Sequence, residues 1–262
     1  ERGGEPQLSS TFAIGEGSSN FGGGPQTIRP AADVLGPLGK VDAWVRRGES
    51  ARVEIVVRTR KVGHFFPGGT VDAFDVWVEF EATDDRGRTL LHSGQAADGG
   101  SGPVDPGAHF YRSLLLDEHG NQINKRNAWQ ARSLLYTRLI PPGRADGAQF
   151  RLRIPPDAKG PITLTAKLNH RKFSHYYTQF AYAGRARPGQ SPALLSASFD
   201  NLDSAFDDAG VPANVSGRVK GTIPALPIVT LAEATAVLPV GGASGDRDWA
   251  PVLASADRER WN

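Results

Sequence analysis

A histidine followed by two phenylalanines, His64-Phe65-Phe66, sits inside a run of turn-forming residues, with Gly63 before it and Pro67-Gly68-Gly69 after it. An imidazole can ligate a metal or move a proton near neutral pH. Adjacent aromatic rings can seat a flat group or a partner protein. The alternating segments Arg52–Thr59 and Ala73–Phe80 flank this run, and a loop held between two strands is a common place for binding residues. The same residues also fit a structural role, in which Phe65 and Phe66 close the core and the glycines supply turn geometry.

The densest histidine group is Asn169-His170-Arg171-Lys172-Phe173-Ser174-His175-Tyr176-Tyr177. His170 and His175 do not have the i, i+4 spacing that shares a helix face. His92, His109 and His119 stand apart, and no zinc-type pairing of ligand clusters is present. The basic and aromatic group of Arg171, Lys172, Tyr176, Tyr177, Phe180 and Tyr182 reads as a surface strip at a strand end. These residue types are enriched at binding hot spots, and they suit a sandwich edge equally well.

Acids cluster at Asp98, Asp105, Asp117-Glu118, Asp200, Asp203 and Asp207-Asp208. None follows the spacing of a calcium loop, so they read as solvated turn acids. A Gly-x-Ser-x-Gly elbow, a phosphate-cradling loop and a cysteine nucleophile are all missing from the sequence. No catalytic residue and no metal ligand is assigned, and the chain reads as non-catalytic.

The elements that must position these residues are strands. Val53, Ile55 and Val57 alternate with Arg52, Glu54 and Arg58. Phe74, Val76, Val78 and Phe80 alternate with Asp75, Trp77, Glu79 and Glu81. Phe150, Leu152 and Ile154 alternate with Arg151 and Arg153, and Ile162, Leu164, Ala166 and Leu168 with Thr163, Thr165 and Lys167. Such alternation predicts one buried and one wet face, as in antiparallel sheets. The expected fold is therefore all-β, an antiparallel β-sandwich over residues 39–240 with extended N- and C-terminal arms. Asp84–Gly87 and Asp117–Asn121 read as turns, Ala96–Ala108 as a surface loop, and Leu226–Val240 as an edge strand bounded by Pro227 and Pro239. Residues 1–38, rich in Gly, Ser and Pro, read as an arm lying over the domain or a partner. Residues 184–221 are loop-rich, with one helical turn over Asn201–Phe206. The tail 241–262 carries Trp249 and Trp261, which are expected to cover this domain or a partner.

Of the 262 residues, 39% are hydrophobic and 22% charged, as suits a globular domain. A net charge of +2, with no arginine stripe between stacking aromatics, gives no ground for nucleic-acid binding. No apolar run approaches the length of a membrane helix. The sequence starts at Glu1 and has no methionine, as a processed export precursor or a fragment would.

The segment Val62-Gly63-His64-Phe65-Phe66-Pro67-Gly68-Gly69-Thr70, with Trp77 and Glu79 on the next strand, resembles the GHxFPGGT region of a β-rich domain in periplasmic multihaem c-type cytochromes. Many of those proteins continue into tetratricopeptide repeats. Arg112–Asp117, Leu139–Gly143, Arg171–Phe173 and Leu226–Glu233 are similar to that domain in the same order, and Arg258–Asn262 resembles the start of the repeats. The chain departs from the family in having no cysteine. A c-type haem is attached through Cys-x-x-Cys-His, so no haem is held covalently here, and haem is expected only on a partner.

The resemblance implies an exported, periplasmic protein, peripheral to the membrane. Its expected role is a docking or scaffold subunit of a respiratory or photosynthetic electron-transfer assembly, beside a c-type cytochrome or a haem-containing membrane complex. His64, Phe65, Phe66, Arg171, Lys172, Tyr176, Tyr177, Trp249 and Trp261 are the expected partner-binding residues. The rival reading is a carbohydrate- or matrix-binding sandwich module.

Overall fold

The computed structural model of the protein describes Leu38, residues 43–123, Arg126, and residues 128–182, 185–186, 204–205 and 223–241. In chain order the strands are β1 (Val45–Arg46), β2 (Ser50–Arg58), β3 (Asp75–Thr83), β4 (Thr89–Ser93), β5 (His109–Phe110), β6 (Ser113–Leu116), β7 (Ser133–Thr137), β8 (Ala145–Arg153) and β9 (Ile162–Arg171). Helix α1 (His175–Tyr182) follows, then β10 (Arg185–Ala186), β11 (Ser204–Ala205), β12 (Ile228–Leu238) and β13 (Val240–Gly241). Among the described residues the fold is an all-β sandwich, mostly of antiparallel sheets, with one α-helix.

One layer is the sheet ordered β12-β9-β3-β4, with β5 also on β3. The other is the β2–β8 pair, in register from Ser50 opposite Arg153 to Arg58 opposite Ala145. Between them lie Val53, Phe80, Ala82, Leu152, Ile154, Ile162, Leu164 and Leu238. The core continues through Val76, Val78, Tyr111, Ile140 and Ala148. Each fully buried side chain such as Leu152 stabilises the fold by roughly 1.5–3 kcal/mol. The inward set predicted for β2, β8 and β9 is the set that packs here, with Arg52, Arg151 and Arg153 exposed.

The second face of β3 is not wet. Trp77 is fully buried there and Asp75 almost so. The segment from Gly94 to Phe110 folds back over this face, packing Val104 and Phe110 on the indole, whose Nε1 donates to the Gly94 carbonyl at 2.8 Å. Ala96–Ala108 is thus a cover for the sheet as well as a surface loop. Gly94 has φ +82, and a Cβ there would lie 2.5 Å from the Val78 oxygen, so only glycine lets the cover approach so closely.

The turns fall as expected. Asp84 accepts the backbone N–H of Arg86 and of Arg88, and Asp117 accepts those of His119 and Asn121. β12 is an edge strand paired to β9. Helix α1 stands where a strip at a strand end was predicted. Ser204–Ala205, expected in a helical turn, forms β11 on β10. The expectations for the arm and tail lie outside the described residues, except that Leu38 packs on the core and β13 pairs in parallel with β1. No helix among the described residues is long and apolar enough to cross a membrane.

Candidate docking surface

The loop after β2 is fastened by Phe66, which exchanges two backbone hydrogen bonds with Ile140 at 2.8 and 2.7 Å. The Phe66 ring turns inward, with its centroid 6.4 Å from that of Tyr111. It is a core contact, half-buried, rather than a presented side chain. Phe65 points the other way and is 54% exposed. His64 is exposed, with Nδ1 2.7 Å from the Phe65 oxygen, and folds over Gly68, where a Cβ would meet its ring at 2.8 Å.

Downstream, this loop joins two other elements. The Ser113 N–H donates to the Val71 oxygen at 3.1 Å, and the Ser174 N–H donates to the Ala73 oxygen at 2.9 Å. The β6–β7 hairpin and helix α1 are thereby fixed on either side of residues 71–73. Between them runs an open groove of about 810 Å³, lined by Leu115, Trp129, Leu134, Tyr177 and Phe180, with Arg126 and Asp72 among its charged residues. Trp129 is 77% exposed, Leu134 54% and Phe180 46%. Large apolar side chains gathered on one concave face mark an interaction site more often than scattered ones do.

Helix α1 begins where the Ser174 carbonyl accepts both the N–H and the hydroxyl of Thr178, each at 2.9 Å. His175 Nδ1 lies 3.1 Å from the Ser101 oxygen, and its Nε2 lies 2.6 Å from Gln179 Nε2. A ring that carries a proton on Nδ1 and accepts from the Gln179 amide at Nε2 satisfies both contacts. Phe173 meets Tyr177 edge-on at 5.2 Å, and Lys172 Nζ stands 5.6 Å from the Phe173 ring.

Arg171 does not belong to this surface. It is 2% exposed, and its Nη2 donates to Asp75 Oδ2 at 2.8 Å while its Nη1 donates to the Gly102 oxygen at 2.6 Å. The register places Arg171 directly opposite Asp75, and the Gly94–Phe110 cover closes over the pair. The expectation that Arg171 meets a partner is corrected on that ground. Lys172 is exposed, Tyr176 and Tyr177 are half-buried, and Trp249 and Trp261 lie outside the described residues. Trp129, Leu134 and Arg126 were not singled out from the sequence; an isolated tryptophan in the polar run Asn127–Gln130 was the available signal.

Two polar clusters lie elsewhere in the sandwich. His109 Nε2 donates to Asp146 Oδ2 at 2.8 Å, and Tyr111 lies edge-on to His109 at 5.2 Å. Burial works to raise the Asp146 pKa, but the hydrogen bond and charge of His109, with the Arg138 charge, hold it below the usual carboxylate range. The Tyr111 phenol is fully buried, and burial and the Asp146 charge push its pKa up. On the outer face, His92 Nε2 donates to Glu79 at 2.9 Å and Asn169 Nδ2 donates to it at 2.6 Å, with Thr230 donating to Asn169 at 2.9 Å. These are cross-strand ties. Among the described residues no group of three or more His, Cys, Asp or Glu side chains is placed to hold a metal ion.

No family model matches the sequence, and no curated protein matches it. Among solved structures, the chain is similar to a penta-heme cytochrome c552 from Thermochromatium tepidum, with 14% sequence identity and a TM-score of 0.44. The similarity covers 76% of this chain and 38% of that one, so the chain spans well under half of that protein's length.

Proposed function

We propose that this chain is a non-catalytic docking subunit that binds a haem-bearing partner, a c-type cytochrome or a haem-containing membrane complex, in a periplasmic electron-transfer assembly. The observation that carries the docking part is the open groove between the β6–β7 hairpin and α1, rimmed by exposed Trp129, Leu134 and Phe180. The haem-bearing character of the partner rests on the ordered resemblance of Gly63–Thr70 and the later segments to the multihaem cytochrome domain. With no cysteine, the chain cannot hold a c-type haem itself. For the rival carbohydrate reading, an aromatic platform on a sheet face is the feature to expect, yet Trp77 on the outer face of β3 is covered.

The test is mild extraction of the natural protein followed by size fractionation, with haem absorbance read across the fractions. The docking reading expects this chain to migrate with a haem band that the purified chain lacks. Migration alone, with no haem in its fractions, overturns the reading and reopens the carbohydrate one.

A further inference from the structure

We propose that the groove takes an acidic protein segment whose apolar side chains seat against Trp129, Leu134 and Phe180; this rests on the docking reading and names the chemistry of the partner. The lining is mostly apolar, with Arg126 and Asp72 as its charged residues, and further cations stand at its margins. Arg126 lines the groove. Arg132 is exposed, and its Nη1 donates to the Trp129 oxygen at 3.2 Å, which puts a cation at the base of the protruding indole. Lys172 is exposed beyond the Phe173–Tyr177 pair on the α1 side. Asp72 is the acid among the lining residues. None of the three cations has a carboxylate within ion-pair distance among the described residues, whereas Arg86, Arg88 and Arg171 all do. Asp117, the acid at the end of β6, is buried and turned onto the N–H groups of its own turn.

An apolar recess with Arg126 in its lining and Arg132 bonded to the backbone of Trp129, against the lining acid Asp72, complements an anionic amphipathic segment. The groove is open to solvent, whereas a small-molecule pocket encloses about 70–90% of its ligand. Most of its apolar side chains line a recess between two elements.

The experiment uses the full chain and a synthetic amphipathic helix of about 18 residues, roughly five turns, with Leu and Phe on one face and Glu on the other. Its counterpart carries Lys in place of Glu. Binding is read by titration calorimetry, from about 0.1 to about 1 M salt, over which the Debye length shrinks from ~10 to ~3 Å. The Glu peptide should bind at least about tenfold more tightly than the Lys peptide at low salt, and that preference should collapse at high salt. The exposed double variant Arg126→Glu/Arg132→Glu should reverse the preference, with Lys172→Glu acting in the same direction. Equal binding of both peptides, binding of neither, binding to vesicles of anionic phospholipid without the Glu peptide, or a wild-type dimer that closes the groove overturns the assignment. If the double variant still co-fractionates with the natural haem partner as well as wild type does, docking stands and the acidic segment does not. If wild type has no haem partner, the docking reading itself fails.

Discussion

Removing one member of the Asp75–Arg171 pair should destabilise the sandwich, and the two removals should differ in a definite order. Both side chains are almost fully buried and 2.8 Å apart. Breaking such a pair costs about 3–5 kcal/mol, because the remaining charge is left without its counterion. Arg171→Met leaves Asp75 with Arg112, whose Nη1 is 3.7 Å away and whose guanidinium already stacks on Phe110 at 3.8 Å. That second arginine can move onto the carboxylate, so the expected loss is near the low end, about 3 kcal/mol. Asp75→Asn leaves two guanidinium groups with no carboxylate between them, and the loss should approach about 5 kcal/mol. At roughly 2–4 °C per kcal/mol for a domain of this size, thermal unfolding followed by circular dichroism should fall by about 6–12 °C and about 10–20 °C respectively. The double variant Asp75→Leu/Arg171→Met should recover much of the loss, since an apolar pair of similar volume often replaces a buried ion pair without penalty. If Arg171→Met unfolds within about 2 °C of wild type while association with a partner is lost, the burial argument is wrong and Arg171 acts at the surface.

Three other outcomes follow from the same structure. Gly94→Ala should cost more than about 2 kcal/mol in urea unfolding, because the new Cβ meets the Val78 oxygen at 2.5 Å and the backbone sits at φ +82. Leu152→Ala, at a fully buried site between the layers, should cost about 2–5 kcal/mol by the same assay. Asp146 is held below the usual carboxylate range in the folded state, so its contribution is fully present above the unfolded value of about 3.9 and is lost as pH falls through the lower folded value. Urea midpoints measured on acidification below about pH 5 should therefore drop more steeply for wild type than for Asp146→Asn; parallel profiles would remove Asp146 from the acid sensitivity.

The strands were legible because their outer faces are wet. In β8, Phe150 and Leu152 alternate with Arg151 and Arg153, and a period of two assigns the inside directly. The same rule misplaced Asp75 and Trp77. Alternation assigns faces, and it is silent on a distant loop that later covers the second face. Arg171 read as surface because its partner lies 96 residues away in sequence. Helix α1 was missed because Tyr, Thr and Phe are strand-favouring types, and what fixes this turn is tertiary, through Ser174 on Ala73 and His175 on Ser101. Phe180 and Tyr177 could be read as an adhesive pair. The groove could not, since it exists only where residues near 71, 113–137 and 177–181 meet.

The docking account is tested most directly by Trp129→Ala/Phe180→Ala in the natural assembly, with association and thermal stability measured on the same preparation. Trp129 is 77% exposed and Phe180 46%, and substitutions of exposed side chains usually stay within about 0.5 kcal/mol. Hot-spot aromatics, in contrast, cost about 2 kcal/mol or more when truncated. The account predicts association weakened at least about thirtyfold by such a loss, with unfolding essentially unmoved. Unchanged association with haem-bearing fractions, or a fall in stability that accounts for the whole effect, contradicts it.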